Sequence, residues 1–284
     1  MSDANVAKIF AREYGLTTLF SADDLARTVE MSQTEIPEEL RAYPAGWFTH
    51  EPYPIEWIDL TRLYSLIRLR KVCNILEFGC GFSTTVMAFA LAQNEADFGT
   101  FFRKSLRRTS PFKLYVVDNL REFLELTAVR IGSELASYAE FNFSPARMTT
   151  FSNRVCTEYE TLPNVCPDLI YLDGPDQHQI LGEVNGISTR HNDRFPMACD
   201  ILKMEHFLLP GTLIVADGRT ANVRFLLANF QRDWRHEFDE VSDVHLLELI
   251  EEPLGKWNRR QIEFCLGADW RSKPLSPDLG MVPR

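Results

Sequence analysis

From residue 72 onward, short apolar runs alternate with longer segments whose apolar residues recur at helical spacing. Strands that alternate with helices are typical of a parallel sheet covered by helices on both faces. The predicted strands are 72–78, 113–118, 147–151, 168–173, 211–217, 245–251 and 261–267. The segment between the last two is too short for a crossover helix, so we expect them to pair as antiparallel neighbours.

The N-terminal part of the chain has a different pattern. Helical spacing predicts helices over 4–13, 21–30 and 55–71. Ser21 is the predicted N-cap of the second of these helices. The segment 41–57 is rich in proline and aromatic residues, which indicates an irregular connector. We therefore divide the chain into an N-terminal helical extension, 1–54, that caps the fold, and an α/β domain, 55–284.

Segment 92–112 is predicted to be an insertion between the first helix of the α/β domain and the strand that follows it. It contains a cluster of basic residues, which are Arg103, Lys104, Arg107 and Arg108. Such a cluster is able to attract an anion. The sequence favours the simpler interpretation, in which these side chains form the solvated face of a loop.

Composition and charge exclude several classes of function. Of the 284 residues, 45% are hydrophobic and 25% are charged, as in ordinary soluble globular proteins. Forty acidic residues against thirty basic ones give a net charge of −10, the wrong sign for a nucleic-acid-binding surface. No apolar stretch approaches about 18 residues, so neither a membrane segment nor a signal peptide is predicted. The six cysteines form no C-x-x-C pair, which favours reduced thiols in a cytoplasmic protein over a zinc site.

Acidic residues close several of the predicted strands. Glu77 lies near the end of the first strand, and Asp118, Asp173 and Asp217 end three others. In open parallel sheets, ligands bind beyond the carboxyl ends of the strands, at the topological switch point. Like charges gathered in such a cleft raise one another's pKa, which is unfavourable without a ligand. These four carboxylates therefore predict a binding site.

The stretch ILEFGCGFSTT, 75–85, interrupts a buried strand with an acid and then with two glycines. Gly79 and Gly81 permit a tight turn and a close approach of a ligand to the backbone. The order is E-x-G-x-G-x-S and differs from the G-x-G-x-x-G of dinucleotide-binding turns. A carboxylate at Glu77 disfavours a pyrophosphate. The turn therefore favours a cationic ligand without phosphates.

These segments resemble motifs of class I S-adenosylmethionine-dependent methyltransferases. ILEFGCGFST resembles their first motif, LYVVD their second strand, and PDLIYLDGP and LLPGTLIVADG their fourth and fifth strands. The resemblance covers about residues 55–267 and implies a Rossmann-like, doubly wound sheet of seven strands. That sheet is mostly parallel with a C-terminal antiparallel pair, and helices cover both of its faces.

The resemblance implies S-adenosylmethionine as the cofactor and an O-methyltransferase type of activity. Gly79 and Gly81 would pass beneath the methionine part of the cofactor, Glu77 would lie close to it, and Asp118 would hold the ribose hydroxyls. The predicted cofactor-binding residues are Glu77, Phe78, Gly79, Gly81, Phe82, Ser83, Asp118 and Asp173.

Methyl transfer from a sulfonium is an in-line displacement, which requires positioning and a base. The predicted catalytic residues are Asp173, His178 and Asp217, with Asp173 facing the transferring methyl group. His178 lies in the long polar segment 174–197 and is the candidate base, the alternative being an exposed loop histidine. His191, in the same segment, is interpreted as structural or substrate-contacting.

The segment after Asp217 bears on whether the site holds a metal. The chain also resembles catechol-type, metal-dependent O-methyltransferases, which place Mg²⁺ on an acid after strand four and on an Asp-Asn pair after strand five. Asp173 and Asp217 match the two acids, whereas Gly218 occupies the asparagine position and Asn222 is the nearest asparagine. Mg²⁺ prefers near-octahedral oxygen coordination, so the missing ligand favours a metal-free site, with Mg²⁺ as the alternative.

The predicted function is O-methylation of a small hydroxylated acceptor, such as a sugar or a natural-product intermediate. Arg219 is predicted to contact the acceptor and Thr220 to cap the following helix. Neither nucleic acid nor a membrane is expected as a partner, and the oligomeric state is left open, a homodimer included. The alternatives are a non-catalytic regulatory or scaffold protein that binds S-adenosylmethionine, and an NAD-dependent oxidoreductase, which would prefer glycine at Thr84. An α/β-hydrolase is excluded because the turn has no G-x-S-x-G elbow.

Overall fold

The computed structural model describes residues 3–21, 29–30, 36, 38–41, 43, 49–50 and 54–276. Its α-helices are α1 (Asp3–Glu13), α2 (Trp57–Leu69), α3 (Phe82–Ser105), α4 (Arg121–Arg130), α5 (Gly132–Leu135), α6 (Asp200–Met204), α7 (Thr220–Leu227) and α8 (Gly255–Cys265). Its strands are β1 (Val29–Glu30), β2 (Thr49–His50), β3 (Asn74–Phe78), β4 (Lys113–Asp118), β5 (Ala139–Phe143), β6 (Ala146–Phe151), β7 (Arg154–Tyr159), β8 (Leu169–Leu172), β9 (Ile180–Leu181), β10 (Leu213–Asp217), β11 (Trp234–Asp239) and β12 (Val244–Leu249).

The central sheet has seven strands in the order β11-β12-β10-β8-β3-β4-β5. Neighbours from β10 to β5 are parallel, and β12 runs antiparallel to both β10 and β11. This Rossmann-like sheet, with helices on both faces, confirms the predicted fold class. The chain proceeds from β3 to β4 and β5 on one side, and to β8 and β10 on the other. The carboxyl end of β3 is therefore the topological switch point.

Strand alternation distributes the apolar residues over two cores, one on each face of the sheet. Ile75 packs in the core to which α2 contributes Ile67, and the next residue, Leu76, packs in the core to which α7 contributes Leu226. Because both faces are covered, the central strands are apolar almost throughout, and the exceptions in β3 are Asn74 and Glu77. The six cysteines are free thiols and four of them are buried, in agreement with the prediction of reduced core thiols.

The strand predicted over 261–267 is wrong, because most of these residues belong to helix α8. Asn258, Ile262 and Cys265 are buried at helical spacing, whereas the charged residues of α8 are exposed. The partner of β12 is β11, to which the sequence analysis assigns no element. β11 is an edge strand and consists mostly of polar and charged residues. Its only apolar residues are Trp234 and Phe238, so its alternation of apolar and polar positions is weak.

The strand predicted over 147–151 exists as β6 but lies outside the central sheet. It pairs antiparallel with β7 and parallel with β9, which together form a separate three-stranded sheet. The edge of the central sheet beside β4 is formed by β5, which the sequence analysis misses. β5 includes Glu140 and Asn142, and its mixture of polar and apolar residues suits a half-exposed edge.

Segment 92–112 is not a loop insertion, because α3 continues through it to Ser105. The last turns of α3 pack on α8, where the ring centroids of Phe101 and Phe264 are 3.8 Å apart. Arg108 is not part of a solvated face, since its side chain is only 7% exposed and forms an ion pair with Asp168. Within the described ranges no helix, α3 included, is both long and apolar enough to cross a membrane.

The N-terminal extension is described only in part. α1 confirms the helix predicted over 4–13 and packs on α2, where the Thr61 hydroxyl donates to the carbonyl oxygen of Ala7 at 3.3 Å. Of the helix predicted over 21–30, residues 22–28 lie outside the described ranges. The end of that segment forms β1, which pairs antiparallel with β2, so the predicted C-terminal end of this helix is wrong.

Candidate active site

An open cleft of about 460 Å³ lies at the switch point, beyond the carboxyl ends of β3, β4, β8 and β10. Its volume falls within the range of small-molecule sites, roughly 300–1,000 Å³. Its lining residues are Gly79, Cys80, Asp118, Leu120, Phe123, Asp173, Gly174, Asp176, Asp217, Gly218 and Arg219. The structure thus brings together three of the predicted carboxylates, Asp118, Asp173 and Asp217, and one of the two predicted glycines.

Two glycines allow the ends of β3 and β8 to touch. Gly79 has a φ of +94°, and a Cβ on it would lie 3.1 Å from the backbone carbonyl carbon of Asp173. A Cβ on Gly174 would lie 2.6 Å from the nitrogen of Gly79 and 2.5 Å from the hydroxyl of Tyr159. The fold therefore requires glycine at both positions. Gly81 differs, since a Cβ on it would meet nothing within 4 Å.

Glu77 lies behind the cleft rather than on its surface. It is fully buried, and its carboxylate accepts hydrogen bonds from Ser83 Oγ at 2.6 Å and Thr84 Oγ1 at 2.8 Å. Thr84 Oγ1 also accepts a hydrogen bond from the backbone N–H of Gly81 at 3.0 Å. These bonds fix the start of α3 to the end of β3. Burial raises the pKa of Glu77 to about 8, although the two hydroxyl bonds favour its ionised form.

Asp118 ends β4 and lines the cleft. It is almost fully buried, and its Oδ1 accepts a hydrogen bond from the backbone N–H of Leu120 at 2.7 Å. Burial raises the pKa of Asp118 to about 7, and the bond from Leu120 partly offsets this increase. A carboxylate offers about four acceptor positions. Asp118 therefore retains capacity for further donors, such as the ribose hydroxyls of the predicted cofactor.

Arg219 holds the turn that contains Asp173. Its guanidinium donates to the backbone carbonyl oxygens of Asp173 and Pro175, the latter at 3.1 Å, and its Nη2 lies 3.6 Å from Asp173 Oδ1. The Asp173 side chain is 53% exposed, but it lines the recess of the cleft. The surrounding protein desolvates the carboxylate and raises its pKa to about 6, which Arg219 opposes. Arg219 thus positions the turn, and its contact with an acceptor stays a prediction.

Asp217 ends β10 and is held by Tyr171, whose hydroxyl donates to its Oδ2 at 2.9 Å. Burial raises the pKa of Asp217, and the bond from Tyr171 lowers it. Asp59 on α2 lies nearby, and burial and the charge of Asp217 raise the pKa of Asp59 to about 7. Arg62, one turn further along α2, donates to Asp59 at 2.7 Å. Neither Tyr171 nor Asp59 is predicted from the sequence, because their relation to Asp217 depends on tertiary packing.

Phe78 and Phe82 are further predicted cofactor residues whose side chains do not line the cleft, as those of Glu77 and Ser83 do not. Phe78 is fully buried and stacks on Tyr159, with ring centroids 5.6 Å apart. Phe82 begins α3 and packs edge-on against Phe20, and the Arg130 guanidinium lies 4.3 Å from its ring centroid. The cofactor-binding roles predicted for Phe78 and Phe82 stay predictions.

The two histidines of segment 174–197 are not among the residues that line the cleft. The backbone N–H of His178 donates to Asp176 Oδ1 at 2.8 Å, and the carbonyl oxygen of the exposed His191 accepts a bond from Gln177 at 2.8 Å. The role of His178 as a base stays a prediction. Asp176 lines the cleft and is not among the residues predicted from the sequence. Asp176 lies three residues beyond Asp173, the aspartate that ends a predicted strand, and this position is the feature of the sequence that could have identified it.

The asparagine after Asp217 does not complete a metal site. Asn222 is 1% exposed, and its amide bonds the backbone N–H and carbonyl oxygen of Ala198 at 3.0 and 3.1 Å. It therefore holds the preceding segment in place. Among the residues that the structure describes, no group of three or more His, Cys, Asp or Glu side chains is placed to hold a metal ion. Because this donor set does not fit Mg²⁺, we derive no step through a metal.

Thr220 is not the N-cap of α7. Arg219 occupies that position, and Thr220 is the first residue of the helix. The Thr220 hydroxyl is hydrogen-bonded to Asp243 Oδ1 at 3.3 Å and to His245 Nε2 at 2.9 Å. The predicted cap is wrong because this hydroxyl ties α7 to the start of β12.

The ligand-free protein is expected to lose stability as the pH rises from about 5 to about 8. Folding raises the pKa of Glu77 to about 8, of Asp118 to about 7 and of Asp173 to about 6. The corresponding values in an unfolded chain are about 4. A raised folded-state pKa contributes stability that is complete below the unfolded pKa and is lost as the pH rises through the folded pKa. Urea denaturation at several pH values measures this loss.

Glu77→Gln is the matched variant for that measurement, because it removes the titrating proton and keeps the shape of the side chain. Its free energy of unfolding should depend less steeply on pH, since each proton contributes up to about 1.4 kcal/mol per pH unit. Asp269→Asn, at a carboxylate that is 68% exposed, should leave the slope unchanged. A wild-type stability that rises between about pH 6 and pH 8 contradicts the expectation.

Comparison with solved structures finds methyltransferases. The chain is similar to a methyltransferase from Geobacter sulfurreducens, with 16% identity and a TM-score of 0.39, over 67% of this chain and 76% of the other. It is also similar to the O-methyltransferase TomG from Streptomyces achromogenes, which is involved in tomaymycin synthesis and was solved in complex with S-adenosylmethionine. The identity to TomG is 14% and the TM-score is 0.35, over 89% of this chain and 91% of TomG. No protein-family model and no curated protein sequence matches the chain. Because both TM-scores lie below 0.5, we base the functional proposal on the cleft itself.

Proposed function

We propose that this protein is an S-adenosylmethionine-dependent methyltransferase that methylates a hydroxyl group of a small acceptor. The observation that carries the proposal is the carboxylate-lined cleft at the switch point, where the ends of β3, β4, β8 and β10 meet. Ligands of open α/β sheets bind at this place. Asp118, Asp173 and Asp217 occupy the positions that the sequence resemblance assigns to the ribose and to the reacting groups.

The residues present fit S-adenosylmethionine. The cofactor carries a sulfonium and an ammonium cation against a single carboxylate, and it contains no phosphate. The cleft offers four carboxylates, those of Asp118, Asp173, Asp176 and Asp217, against the guanidinium of Arg219. Gly79 brings bare backbone to its surface, which permits a close approach of the ligand. A dinucleotide, with its negatively charged pyrophosphate, is a poorer match to this charge.

The chain's own residues perform two tasks in the proposed reaction. When bound, the cofactor would supply an electrophilic methyl group for in-line attack by the acceptor oxygen, and its sulfur would leave as a neutral thioether. Asp173, with a pKa of about 6, is ionised near neutral pH and accepts the proton that the acceptor hydroxyl loses. Tyr171 and Arg219 hold the two strand-ending carboxylates in position through the contacts at Asp217 and Asp173. Asp59 on α2 lies close enough to Asp217 to feel its charge, which supports placing the acceptor at this end of the cleft.

Calorimetric titration with S-adenosylmethionine, S-adenosylhomocysteine and NADH tests the cofactor. We expect binding of the first two and no binding of NADH. NADH binding without binding of the other two would favour the oxidoreductase alternative. Incubation with pools of sugars and hydroxylated natural products, followed by detection of S-adenosylhomocysteine, then tests turnover. Cofactor binding without turnover on any acceptor would favour the non-catalytic binding protein.

Asp118→Ala is expected to weaken binding of S-adenosylhomocysteine by about 1.5–3 kcal/mol, the scale of a hydrogen bond to a charged group. The resemblance assigns the ribose hydroxyls to the carboxylate at the end of β4, and the bond that one of its oxygens accepts from the Leu120 N–H leaves acceptor capacity for them. Titration of the variant against wild type measures the loss. The matched comparison is adenosine, which shares the ribose and should lose a similar amount. A loss below about 0.5 kcal/mol would mean that another residue holds the ribose.

A further inference from the structure

A second pocket of about 310 Å³ lies outside the cleft. Met148 of β6, Val155 of β7 and Ala221 of α7 line it, together with residues of segment 187–197. Its volume is at the lower end of the range of small-molecule sites, roughly 300–1,000 Å³. Among the described residues, none lines both this second pocket and the cleft. The two are therefore separate places on the molecule.

The walls of the second pocket are mostly apolar. Met148, Val155 and Met197 line it, and so do two side chains that are open to solvent, Ile187 at 39% and Phe195 at 60% exposure. Apolar side chains left open around a concave pocket mark a place where another molecule binds. The unbranched methionines adapt to the shape of a ligand, and the ring of Phe195 is able to pack against an aromatic ring. The walls therefore favour an aromatic ligand.

Two buried hydroxyl groups belong to the lining of the second pocket. Thr157 is fully buried and Thr189 is 4% exposed, and in the described part of the chain neither hydroxyl has a hydrogen-bond partner. The buried Thr212 shows the usual arrangement, since its hydroxyl donates to the carbonyl oxygen of Pro167 at 3.1 Å. An unpartnered buried hydroxyl destabilises a fold, and it is able to change direction by rotation about one bond. A ligand in the second pocket would supply the partner that Thr157 and Thr189 lack.

We infer that the second pocket is a ligand site for a small, neutral aromatic compound that carries a hydrogen-bonding group. The apolar walls bind the ring, and a threonine hydroxyl, which both donates and accepts, binds the polar group. The lining contains one acidic and one basic residue, Asp193 and Arg194, and both are exposed, so it selects neither an anion nor a cation. The inference does not rest on the proposed function, because the second pocket shares no lining residue with the cleft.

Equilibrium dialysis with indole and with indene tests the inference. The two molecules have nearly the same shape, and only indole carries an N–H group that is able to donate a hydrogen bond. A pocket without a polar partner prefers indene, because indole gives up a hydrogen bond to water when it enters. We expect wild-type protein to bind indole at least as tightly as indene. Saturating S-adenosylhomocysteine should displace neither compound.

The decisive variant combines Thr157→Val with Thr189→Val, because it removes both hydroxyls and keeps the shape of the side chains. We expect it to weaken indole binding at least about fivefold, the scale of one hydrogen bond, and to change indene binding less than about twofold. The urea concentration at the midpoint of unfolding should stay the same or rise, since neither hydroxyl loses a partner in the described structure. If the double variant does not fold, Thr189→Val alone takes its place.

Three further variants serve as comparisons. Thr212→Val also removes a buried hydroxyl, but it should leave both affinities unchanged and lower the midpoint of unfolding, because the carbonyl oxygen of Pro167 loses this donor. Phe195→Ala should weaken binding of both compounds at least about threefold, since it removes apolar surface that they have in common. Phe207→Ala changes a phenylalanine that is 80% exposed and lies outside the lining, and it should change neither affinity.

A selective loss of indole binding in the double variant, with both affinities kept in Thr212→Val, supports the inference. Absence of binding, tighter binding of indene than of indole by wild-type protein, or an unchanged ratio of the two affinities in the double variant overturns it. Displacement of indole by S-adenosylhomocysteine also overturns it, because the compound would then lie in the cleft. None of these results decides the methyltransferase proposal, which the titration with cofactor tests separately.

Discussion

Gly81→Val is expected to abolish binding of S-adenosylmethionine and S-adenosylhomocysteine while the protein remains folded. A Cβ at position 81 meets no protein atom within 4 Å, so the added side chain enters open space at the start of α3. Gly81 follows Gly79 and Cys80, which line the cleft, and the sequence resemblance puts the methionine part of the cofactor at this turn. We expect the affinity to fall at least about a hundredfold, or about 2.7 kcal/mol. Calorimetric titration measures it, and far-UV circular dichroism confirms the fold.

Two further substitutions make this experiment specific. Gly81→Ala adds a single methyl group and should produce an intermediate loss of affinity. Gly174→Ala is the contrasting variant, because its Cβ would lie 2.5 Å from the Tyr159 hydroxyl and 2.6 Å from the backbone nitrogen of Gly79. It should destabilise the fold by about 1–3 kcal/mol, the scale for an extra methyl group forced into a packed interior. Unchanged affinity in a folded Gly81→Val protein would refute the cofactor assignment.

Gly79 does not offer the same test, although the sequence presents the two glycines as equivalent. From the sequence alone, valine at either position is expected to block the ligand and leave the fold mostly intact. In the structure, Gly79 has a φ of +94° and its Cβ position is 3.1 Å from the backbone of Asp173. Valine at this position would strain the backbone and separate β3 from β8. The expectation for Gly79 is therefore revised to a loss of stability.

The sequence predicts the strands of the central sheet where the hydrophobic pattern is strong. β3, β4, β8 and β10 are buried, so their runs are almost purely apolar and each ends at an acid or beside one. The edge strands β5 and β11 escape the prediction because half of their residues face solvent and carry polar side chains. The strand predicted over 261–267 is wrong because a short apolar run is compatible with a helix as well as with a strand. The packing of α8 against α3 decides between helix and strand, and this packing is not visible in the sequence.

In the candidate site, too, some residues are predictable from the sequence and others depend on tertiary structure. Strand-ending acids are visible in the sequence because they stand at the ends of apolar runs, and the cleft brings Asp118, Asp173 and Asp217 together. Sequence does not reveal which way a side chain points. Glu77 is turned behind the cleft onto the hydroxyls of α3, and Asn222 is turned onto the backbone of Ala198. Loop residues are least predictable, since the path of segment 174–197 depends on the pairing of β9 with β6.

Activity is expected to survive a chelator such as EDTA once an acceptor has been identified. Asp173 and Asp217 line one cleft, but in the described part of the chain no three His, Cys, Asp or Glu side chains are grouped so that they could hold a metal ion, and Asn222 is committed to the backbone. The acceptor proton must then go to a base of the protein. Loss of turnover in EDTA that Mg²⁺ restores would instead show that a metal lowers the pKa of the acceptor hydroxyl.

The identity of that base is decided by comparing Asp173→Asn with His178→Ala at saturating cofactor. Asp173 lines the cleft and has a pKa of about 6, whereas His178 does not line it. We expect Asp173→Asn to lower kcat by about a hundredfold or more, the scale of general-base catalysis, and His178→Ala to lower it much less. Because the base must be ionised, wild-type kcat should fall as the pH drops through the pKa of Asp173, and this acidic limb should be absent from the residual activity of Asp173→Asn. A bound sulfonium stabilises the ionised carboxylate, so the limb should lie at or below about pH 6. Two results together would instead identify His178 as the base: a hundredfold loss of kcat in His178→Ala, and an acidic limb that survives in Asp173→Asn. Segment 174–197 would then have to bring His178 into the cleft when ligands bind.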